Sequence, residues 1–325
     1  MILRRTFLQK AALAAAASAL PGAAAAVGKF PVRPLTMIVP WPAGGGTDLW
    51  HRALADVMAR ELGQPVIVDN RVGASGTLGP ATMAATAKPD GYTFSHIPVT
   101  VFRLPVMQKV SWDPLSDFTW IAHAGGFEFA TIVRTASPWP SLAALIEDAR
   151  ARPGRISYAS PGAGTSLHIG MELIARRAGI AWTHVPFRGM TEAIAAILGG
   201  HVDVLAGGSD WWPMHEAGAL RPLVMWTERR SRRVPQVPTL QEEGFPFVFD
   251  SPFGFAGPRG MDPAVVSRLN DAIRTALRDP ATIAVRERFD IQDRYMDSDA
   301  YRAFAVALFE KEKAYLESIG LARKE

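Results

Sequence analysis

The sequence predicts an α/β protein with two lobes, each built on a mostly parallel sheet flanked by helices. Short apolar runs rich in β-forming residues alternate with segments of helical periodicity, which is the pattern of repeated β-α-β units. Two such units begin some 120 residues apart, and each has a glycine-rich turn between a strand and a helix. The 325 residues are 48% apolar and 20% charged, which suits two cores and excludes a disordered chain.

Residues 1–26 are predicted to be a cleaved export signal. Arg4, Arg5 and Lys10 precede an alanine- and leucine-rich stretch, and the segment contains no acidic residue. The paired arginines are typical of the twin-arginine class, and an ordinary Sec signal is the alternative. Both predict a periplasmic protein. Without this segment 32 basic and 31 acidic residues remain, so most of the net charge of +4 belongs to the signal.

The composition of the mature chain argues against several kinds of site. It contains no cysteine, so disulfides, lipid-anchored cysteines and thiolate metal sites are excluded. No run after the signal approaches about 18 uncharged apolar residues, so we expect no membrane span. Residues 229–233 contain four arginines, but a mature charge near +1 predicts no nucleic-acid binding. We interpret this cluster as a solvated face, and a docking patch is the alternative.

The first β-α-β unit follows the signal. Thr36–Pro40 and Pro65–Val68 are predicted to be buried strands. Between them, apolar residues from Leu49 to Leu62 recur at helical spacing, and Gly63 ends the predicted helix.

The second unit lies in the middle of the chain. Its strands are predicted at Ile156–Ala159 and Thr183–Phe187, with a helix at about 166–178 between them. A further helix at about 191–198 and a strand at Val202–Ala206 extend the same pattern.

The chain is predicted to leave the first lobe, build the second and return. The first lobe takes residues 27–127 and 249–325, and the second takes residues 128–248. Two crossing segments, near Phe127–Val133 and Val248–Ala256, are expected to form the hinge.

The C-terminal part is predicted to complete the first lobe. Residues 229–246 are rich in Arg, Pro and Glu and resemble a surface connection. One helix is predicted to begin at Asp262-Pro263 and another near Ser298.

The most informative turn is the first glycine loop, residues 40–48, with the sequence PWPAGGGTD. Glycines let backbone N–H groups converge, and the following helix N-terminus adds partial positive charge, so this geometry favours an anion. A nucleotide P-loop needs a lysine after its last glycine, whereas Thr47-Asp48 follows here. Because Asp48 would repel a polyphosphate, a small carboxylate is the better candidate. A tight turn in which Thr47 or Asp48 caps the helix is the alternative.

The second glycine loop, residues 160–166, repeats this arrangement with the sequence SPGAGTS. Its hydroxyl groups can donate to an anion or cap the helix. In open α/β sheets ligands lie beyond the carboxyl ends of the strands, so the two loops can face each other and hold both ends of a dianion. Residues 186–191 form a third turn that is expected to line the same cleft, with Arg188 exposed.

These motifs resemble those of a known family. The runs PWPAGGGTD, GQPVIVDNRVGASGTLG, KPDGYTF, ISYASPGAGTSLHIG and HVPFRGMTEAIAAILGGHVDV are similar to the Bug family, the extracytoplasmic receptors of tripartite tricarboxylate transporters. The resemblance covers nearly the whole mature chain. It implies a type II periplasmic-binding-protein fold that closes over a small carboxylate and delivers it to the membrane components of a transporter.

The resemblance also implies where the ligand binds. Both glycine loops would hold the carboxylate, largely through backbone groups and bridging waters. The segment around Phe187 and the turn after Phe94 would complete the cleft. The predicted ligand-binding residues are Trp41, Pro42, Ala43, Gly44, Gly45, Asp48, Ser160, Gly164, Thr165, Ser166, Phe187, Gly189, Gly207 and Asp210.

The sequence departs from the family after Val202-Asp203. Members often have Phe-Asp shortly afterwards, whereas this chain has VLAGGSD. An acid commonly found at the cleft is therefore missing or displaced to Asp210.

Tryptophans near both loops suggest a bulkier ligand. Trp211-Trp212 follows the displaced acid, and Trp41 lies in the first glycine loop. Small Gly207 and Gly208 would leave room for a flat molecule, so we hypothesise that the indoles stack on an aromatic carboxylate. Packing of Trp211 and Trp212 beneath the lobe is the alternative.

A secreted hydrolase of a small ester or amide is the alternative function. The sequence has no G-x-S-x-G nucleophile elbow, and His168 and His184 are interpreted as packing residues. It also lacks the H-E-x-x-H spacing of a metal site. We therefore predict no enzyme activity, no cofactor and no metal, and we expect a monomer.

Overall fold

The computed structural model describes residues 30–323, and the export signal predicted at residues 1–26 lies outside them. The chain builds part of one lobe, crosses to a second and returns. The first passage contains β1 (Leu35–Val39), α1 (Gly46–Leu62), β2 (Val66–Asn70), α2 (Leu78–Thr86), β3 (Thr93–Ile97), α3 (Thr100–Met107) and β4 (Phe118–Glu128). The second lobe contains β5 (Ala130–Arg134), α4 (Leu142–Ala151), β6 (Ser157–Ser160), α5 (Ser166–Ala178), β7 (Thr183–Pro186), α6 (Met190–Leu198), β8 (Val204–Gly207), α7 (Trp212–Glu216) and β9 (Leu220–Met225). The return passage contains β10 (Asp250–Pro258), α8 (Pro263–Leu277), α9 (Pro280–Arg288), β11 (Ile291–Met296) and α10 (Ser298–Ser318).

Each lobe has one sheet, which confirms the two-lobed α/β prediction. The strand orders are β11-β4-β10-β3-β1-β2 and β7-β6-β8-β5-β9. The strands of the predicted β-α-β units are parallel: β1 pairs with β2 and β3, and β6 pairs with β7 and β8. The sheets are mixed, however, rather than mostly parallel. The reason is that β5 and β10, each the first strand after a crossing, enter their sheets against the β-α-β direction.

The helices begin and end at the residues that the sequence signals. In α1 the backbone after the last turn reverses at Gly63, which has φ +69° and donates to the carbonyl of Ala59. Asp262 precedes α8 and accepts a hydrogen bond from Ala264 N, with Pro263 in the first turn. Both helices bury one apolar face, where each large side chain contributes about 2 kcal/mol.

Three connections join the lobes. Phe129 alone separates β4 from β5, and residues 226–249 lead from β9 to β10 without forming a helix or strand. The third is α10, which packs against α3 and β4 but ends with Leu316 in the core of the second lobe. The C-terminal helix therefore bridges both lobes, whereas the sequence assigned it to the first.

Each lobe has its own apolar core. Trp50 and Leu54 of α1 pack with Phe255 in the first lobe, and Tyr158 and Trp226 belong to the core of the second. Among the helices of residues 30–323, none combines the length and apolar character of a membrane-crossing segment.

The basic cluster of residues 229–233 lies in the connection between β9 and β10. Arg230 forms an ion pair of 2.8 Å with Glu242, and Arg233 pairs with Glu216. All four side chains retain access to solvent. Nearby glutamates thus neutralise the charge of two of the four arginines, which is consistent with a solvated face.

Candidate functional site

A cleft of about 80 Å³ lies between the lobes, next to the carboxyl ends of β1 and β6. Both glycine loops contribute to its wall, as the sequence predicts for parallel β-α-β units. The lining residues are Trp41, Pro42, Gly45, Thr47, His96, Pro98, Val99, Thr100, Phe127, Phe129, Pro161, Thr165, Leu167, Met190, Thr191, Gly208, Asp210 and Ser251.

In the first glycine loop Asp48 braces the backbone from outside the cleft. Its carboxylate accepts hydrogen bonds of 2.9 Å from Gly44 N, Arg52 Nε and Asn70 Nδ2. Burial pushes the pKa of Asp48 up, but the hydrogen bonds from Arg52, Gly44 and Asn70 outweigh burial and hold that pKa below its ordinary value. The carboxylate that was expected to repel a polyphosphate is therefore paired with Arg52 and shapes the loop.

Asp210 brings an acid from the second lobe to the first glycine loop. Its Oδ1 accepts a hydrogen bond of 2.5 Å from Gly46 N, in the first turn of α1. The N-cap residue of α1, Gly45, has no side chain to perform this role, so the helix is capped across the cleft. Burial raises the pKa of Asp210, and the bond from Gly46 offsets part of that rise.

The second glycine loop is capped from within. Thr165 Oγ1 accepts a hydrogen bond of 3.3 Å from His168 N. Ser166 Oγ accepts from Arg103 Nη1 at 2.7 Å, and Arg103 in turn forms a buried bidentate pair with Glu312 of α10 (2.6 and 3.0 Å). This loop is therefore tied to the first lobe through side chains that lie outside the cleft.

Ser160 and Gly164 are also engaged within the second lobe. Ser160 is fully buried, and its Oγ lies 2.7 Å from His184 Nε2. Gly164 N donates to His168 Nδ1 at 3.2 Å. Of the hydroxyl groups predicted to meet the ligand, only that of Thr165 belongs to a residue that lines the cleft.

Both helices keep backbone donors for a ligand. Within residues 30–323, the N–H groups of Thr47 and Asp48 in α1, and of Ser166 and Leu167 in α5, have no hydrogen-bond partner in the protein. Thr47 and Leu167 line the cleft. Because N–H groups at helix N-termini carry partial positive charge, two such pairs suit the ends of a carboxylate-bearing molecule.

The lobes touch directly, so the cleft is closed. Ser75 Oγ of the first lobe donates to Ala163 O of the second at 2.6 Å. A Cβ on Gly189 would lie 2.4 Å from Pro42 Cδ, so the absence of a side chain at Gly189 permits this approach. Together with the bond between Asp210 and Gly46, these contacts place the two glycine loops on one cleft.

Trp211 and Trp212 lie in the core of the second lobe. Their rings stack on each other at 4.1 Å and are 1% and 2% exposed. A Cβ on Gly207 would lie 2.2 Å from Ile132 Cδ1, so Gly207 leaves no room for a ligand. The hypothesis that these two indoles stack on an aromatic ligand is therefore wrong, and the packing alternative is correct. Other predicted residues that do not line the cleft are Ala43, Gly44, Asp48, Ser160, Gly164, Ser166, Phe187, Gly189 and Gly207.

The cleft also contains residues that the sequence did not single out. His96 and Val99 lie at or after the end of β3, near the turn that the family resemblance indicated. Phe127 of β4 and Ser251 of β10 come from the strands on either side of the crossings. No local pattern marks them, because their position depends on the path of the chain between the lobes.

The polar groups of the cleft are mostly hydrogen-bond donors and acceptors suited to binding an anion. They include backbone N–H groups, hydroxyls, the indole of Trp41, one carboxylate and one imidazole. In residues 30–323 no group of three or more His, Asp or Glu side chains is placed to hold a metal ion. Such a set can hold and orient an anion through hydrogen bonds.

Known proteins share both the sequence and the architecture. The chain is 42% identical over 326 residues to a UPF0065 protein of Cupriavidus necator, covering 99% of each. It is 36% identical to BugT of Bordetella pertussis, covering 78% of this chain and 79% of BugT. The structure of the periplasmic binding protein BugD has a TM-score of 0.86 and 25% identity, and covers 91% of this chain and 100% of BugD.

Two similar structures contain ligands. MatC from Rhodopseudomonas palustris, with bound malate, has a TM-score of 0.81 and 26% identity, over 88% of this chain and 99% of MatC. An R. palustris structure with adipate has a TM-score of 0.84 and 26% identity, over 90% of this chain and 99% of that one.

The family described as tripartite tricarboxylate transporter family receptor matches residues 50–321. That range includes α1 from Trp50 onward, the second glycine loop, both crossings and α10. The chain therefore belongs to the tripartite tricarboxylate transporter receptor family, a family of solute-binding proteins that includes the Bug proteins.

Proposed function

We propose that this protein is a periplasmic receptor that binds a small carboxylate between its lobes and presents it to the membrane components of a tripartite tricarboxylate transporter. The observation that carries the proposal is the pair of helix N-termini, α1 and α5, with unpartnered N–H groups beside one cleft within residues 30–323. Malate in MatC and adipate in the related structure support a carboxylate as the ligand class.

The proposed cycle is an opening and closing of the two lobes. Residues 27–127 and most of residues 249–325 move as one body, and residues 128–248 move as the other. The hinge lies near Phe129, residues 248–256 and the end of α10, where Leu316 packs in the core of the second lobe. The ligand carboxylate binds first to one glycine loop, and the donors of the other loop then favour closure.

Export as a cleaved monomer is part of this proposal. Residues 1–26 act as the signal, and Arg4-Arg5 direct the chain to the twin-arginine route. N-terminal sequencing of the secreted protein tests the cleavage. Replacing both arginines with lysine tests the route, and undiminished export would indicate Sec instead.

The pair formed by Ser160 and His184 makes a hydrolase the obvious rival. Ser160 is fully buried and does not line the cleft, so a substrate there has no path to its Oγ. Burial also lowers the pKa of His184 to about 4, and within residues 30–323 no carboxylate is hydrogen-bonded to its Nδ1. The pair lacks the access and the orienting acid that nucleophilic catalysis needs, so we propose that the protein is not an enzyme.

A thermal-shift screen of mono-, di- and tricarboxylates tests the receptor proposal. A ligand that binds only the folded protein adds about 2.7 kcal/mol of stability at about 100 times its dissociation constant. The neutral amide of each acid is the matched control and should cause no shift. If no carboxylate raises the melting temperature and an ester or amide is turned over, the hydrolase is supported instead.

A further inference from the structure

Two buried histidines connect the first turn of α1 to the cleft. His51 Nδ1 lies 2.6 Å from the carbonyl oxygen of Thr47, and His51 Nε2 lies 3.0 Å from His96 Nδ1. The two residues are 0% and 1% exposed. His96 lines the cleft, and its ring stacks on Phe253 at 4.8 Å.

The hydrogen bonds of this pair determine which nitrogens carry protons. A carbonyl oxygen can only accept, so His51 Nδ1 must donate to Thr47 O. In a neutral ring the other nitrogen, Nε2, is then an acceptor, and His96 Nδ1 must donate to it. By the same logic His96 Nε2 carries a lone pair and no proton.

Burial of both rings favours the neutral form that this assignment requires. Burial lowers the pKa of His51 to about 4. Burial, together with the neighbouring His51, lowers the pKa of His96 well below its usual value.

The protein makes no use of the lone pair on His96. Within residues 30–323 no protein group is hydrogen-bonded to His96 Nε2. This nitrogen differs from His123 Nε2, which also has no partner in that range but is sealed in the interior. His96 Nε2 retains accessible surface on a residue that lines the cleft, so it is free to meet a ligand.

We propose that His96 Nε2 accepts a hydrogen bond from a hydroxyl group of the ligand, so that the receptor prefers hydroxylated carboxylates to their deoxy counterparts. This inference rests on the proposed carboxylate-binding function. A bare carboxylate has no proton to donate and would leave the lone pair unsatisfied in a closed cleft. A hydroxyl group satisfies it without adding a second buried charge. Hydroxyls such as that of Thr47 can donate or accept, whereas His96 Nε2 can only accept.

Matched ligand pairs test the preference on the wild-type protein. Isothermal titration of malate against succinate, and of 3-hydroxybutyrate against butyrate, should show the hydroxylated member binding about 10-fold more tightly, the ratio expected from one unsatisfied buried hydrogen-bonding group. Aspartate provides a charged donor in place of the hydroxyl. Equal affinities within the pairs, or aspartate binding more tightly than malate, would overturn the inference.

Substitutions of His96 test whether the preference for hydroxylated carboxylates depends on its Nε2 atom. His96→Asn keeps a donor near the Nδ1 position, facing His51, and removes the group at the Nε2 position. The preference should fall from about 10-fold to near onefold, because affinity for the hydroxylated member falls more than affinity for succinate or butyrate. His96→Gln restores an acceptor at the outer position and should recover part of the preference. His123→Asn, a change at a buried histidine outside the cleft, is the control and should leave the preference unchanged.

A measurement on the wild-type protein guards against variants that do not fold. The ¹⁵N shifts of the imidazole nitrogens should show His51 and His96 both protonated at Nδ1 at pH 7, and a proton at His96 Nε2 would overturn the inference. The experiments distinguish failure of the proposed carboxylate binding from failure of the role of His96. If no carboxylate of either kind binds, the proposed function fails; if both kinds bind equally, only the role of His96 fails.

Discussion

The two glycine loops look alike in sequence but satisfy their helices in different ways. In the second loop Thr165 caps α5 from within, and Ser166 is held by Arg103. In the first loop Gly45 offers no cap, and Gly46 N finds its acceptor on Asp210 of the opposite lobe. One helix is therefore capped within its own loop, while the other is capped only when the lobes meet.

This difference assigns separate tasks to the loops. The cap of the second loop is preformed, because Thr165 Oγ1 accepts from His168 N within the same lobe, although Arg103 of the first lobe also holds Ser166. The first loop gains its cap only on closure, because the hydrogen bond from Gly46 N to Asp210 joins the two lobes. Substitutions around the second loop should thus act mainly on folding, and those around the first mainly on ligand affinity.

The largest effect is expected at the buried pair behind the second loop. Arg103→Met leaves Glu312 charged and buried without its partner, so the free energy of unfolding should fall by about 3–5 kcal/mol. Urea denaturation measures this loss. Adding Glu312→Leu to the same protein removes the lone charge and should recover most of the stability. A loss below about 1 kcal/mol for the single variant would show that the loop does not depend on this attachment.

Asp210→Ala tests the cap that crosses the cleft. Closure then leaves Gly46 N without its charged acceptor, so the affinity for the best carboxylate of the screen should fall by about 1.5–3 kcal/mol, or roughly 10- to 150-fold. Unfolding of the ligand-free protein should change little by comparison, and titration calorimetry and urea denaturation separate the two effects.

Asp210→Asn is the matched control for the missing charge. It keeps an oxygen acceptor for Gly46 N and should lose less affinity than the alanine variant. Tighter binding in either variant would contradict the capping role, because it would mean that Asp210 competes with the ligand for the N-terminus of α1.

Substitutions at two glycines distinguish the effect of lobe closure on affinity from the effect of backbone strain in the first loop. Gly189 has an extended backbone (φ −176°), which any residue adopts, but a Cβ there would lie 2.4 Å from Pro42 Cδ of the opposite lobe. Gly189→Ala should therefore impede closure and weaken ligand affinity about 10-fold, with little effect on the ligand-free protein.

Gly44→Ala is expected to show the opposite behaviour. Its φ of +84° disfavours a side chain, although a Cβ would meet nothing within 4 Å. Unfolding should therefore become easier by about 1 kcal/mol, with a smaller change in affinity. Equal effects of the two alanines on affinity would mean that strain in the first loop, and not the approach of the lobes, limits binding.

The sequence predicts the periodic parts of this fold well. α1 and α5 occur where apolar spacing and the terminal Gly63 and Gly179 predict them, because both signals are local. The reversed directions of β5 and β10 were not predicted. They depend on where the chain crosses between lobes, which neither strand encodes by itself.

In the candidate site too, the local features were predictable from the sequence and the contacts between distant residues were not. The glycine loops are visible in the sequence because turn geometry requires glycine at Gly44. The partner of Gly46 lies 164 positions away at Asp210, and His51 and His96 are 45 apart, so no short pattern links them. Asp48 was predicted to bind the ligand, whereas it braces the loop through Arg52 and Asn70, which only the folded chain brings together.

An effect as small as that of Gly44→Ala is expected at the cap of the second loop. Thr165→Ala removes the acceptor for His168 N and should lower the free energy of unfolding by about 1 kcal/mol. Thr165→Ser keeps the hydroxyl and should restore it, whereas loss of a methyl contact would weaken both variants equally. Because this cap lies within the second lobe, the destabilisation should already be present in the ligand-free protein. A loss that appears only in the liganded protein would show that α5, like α1, is completed by closure, and the distinction between the two loops would no longer hold.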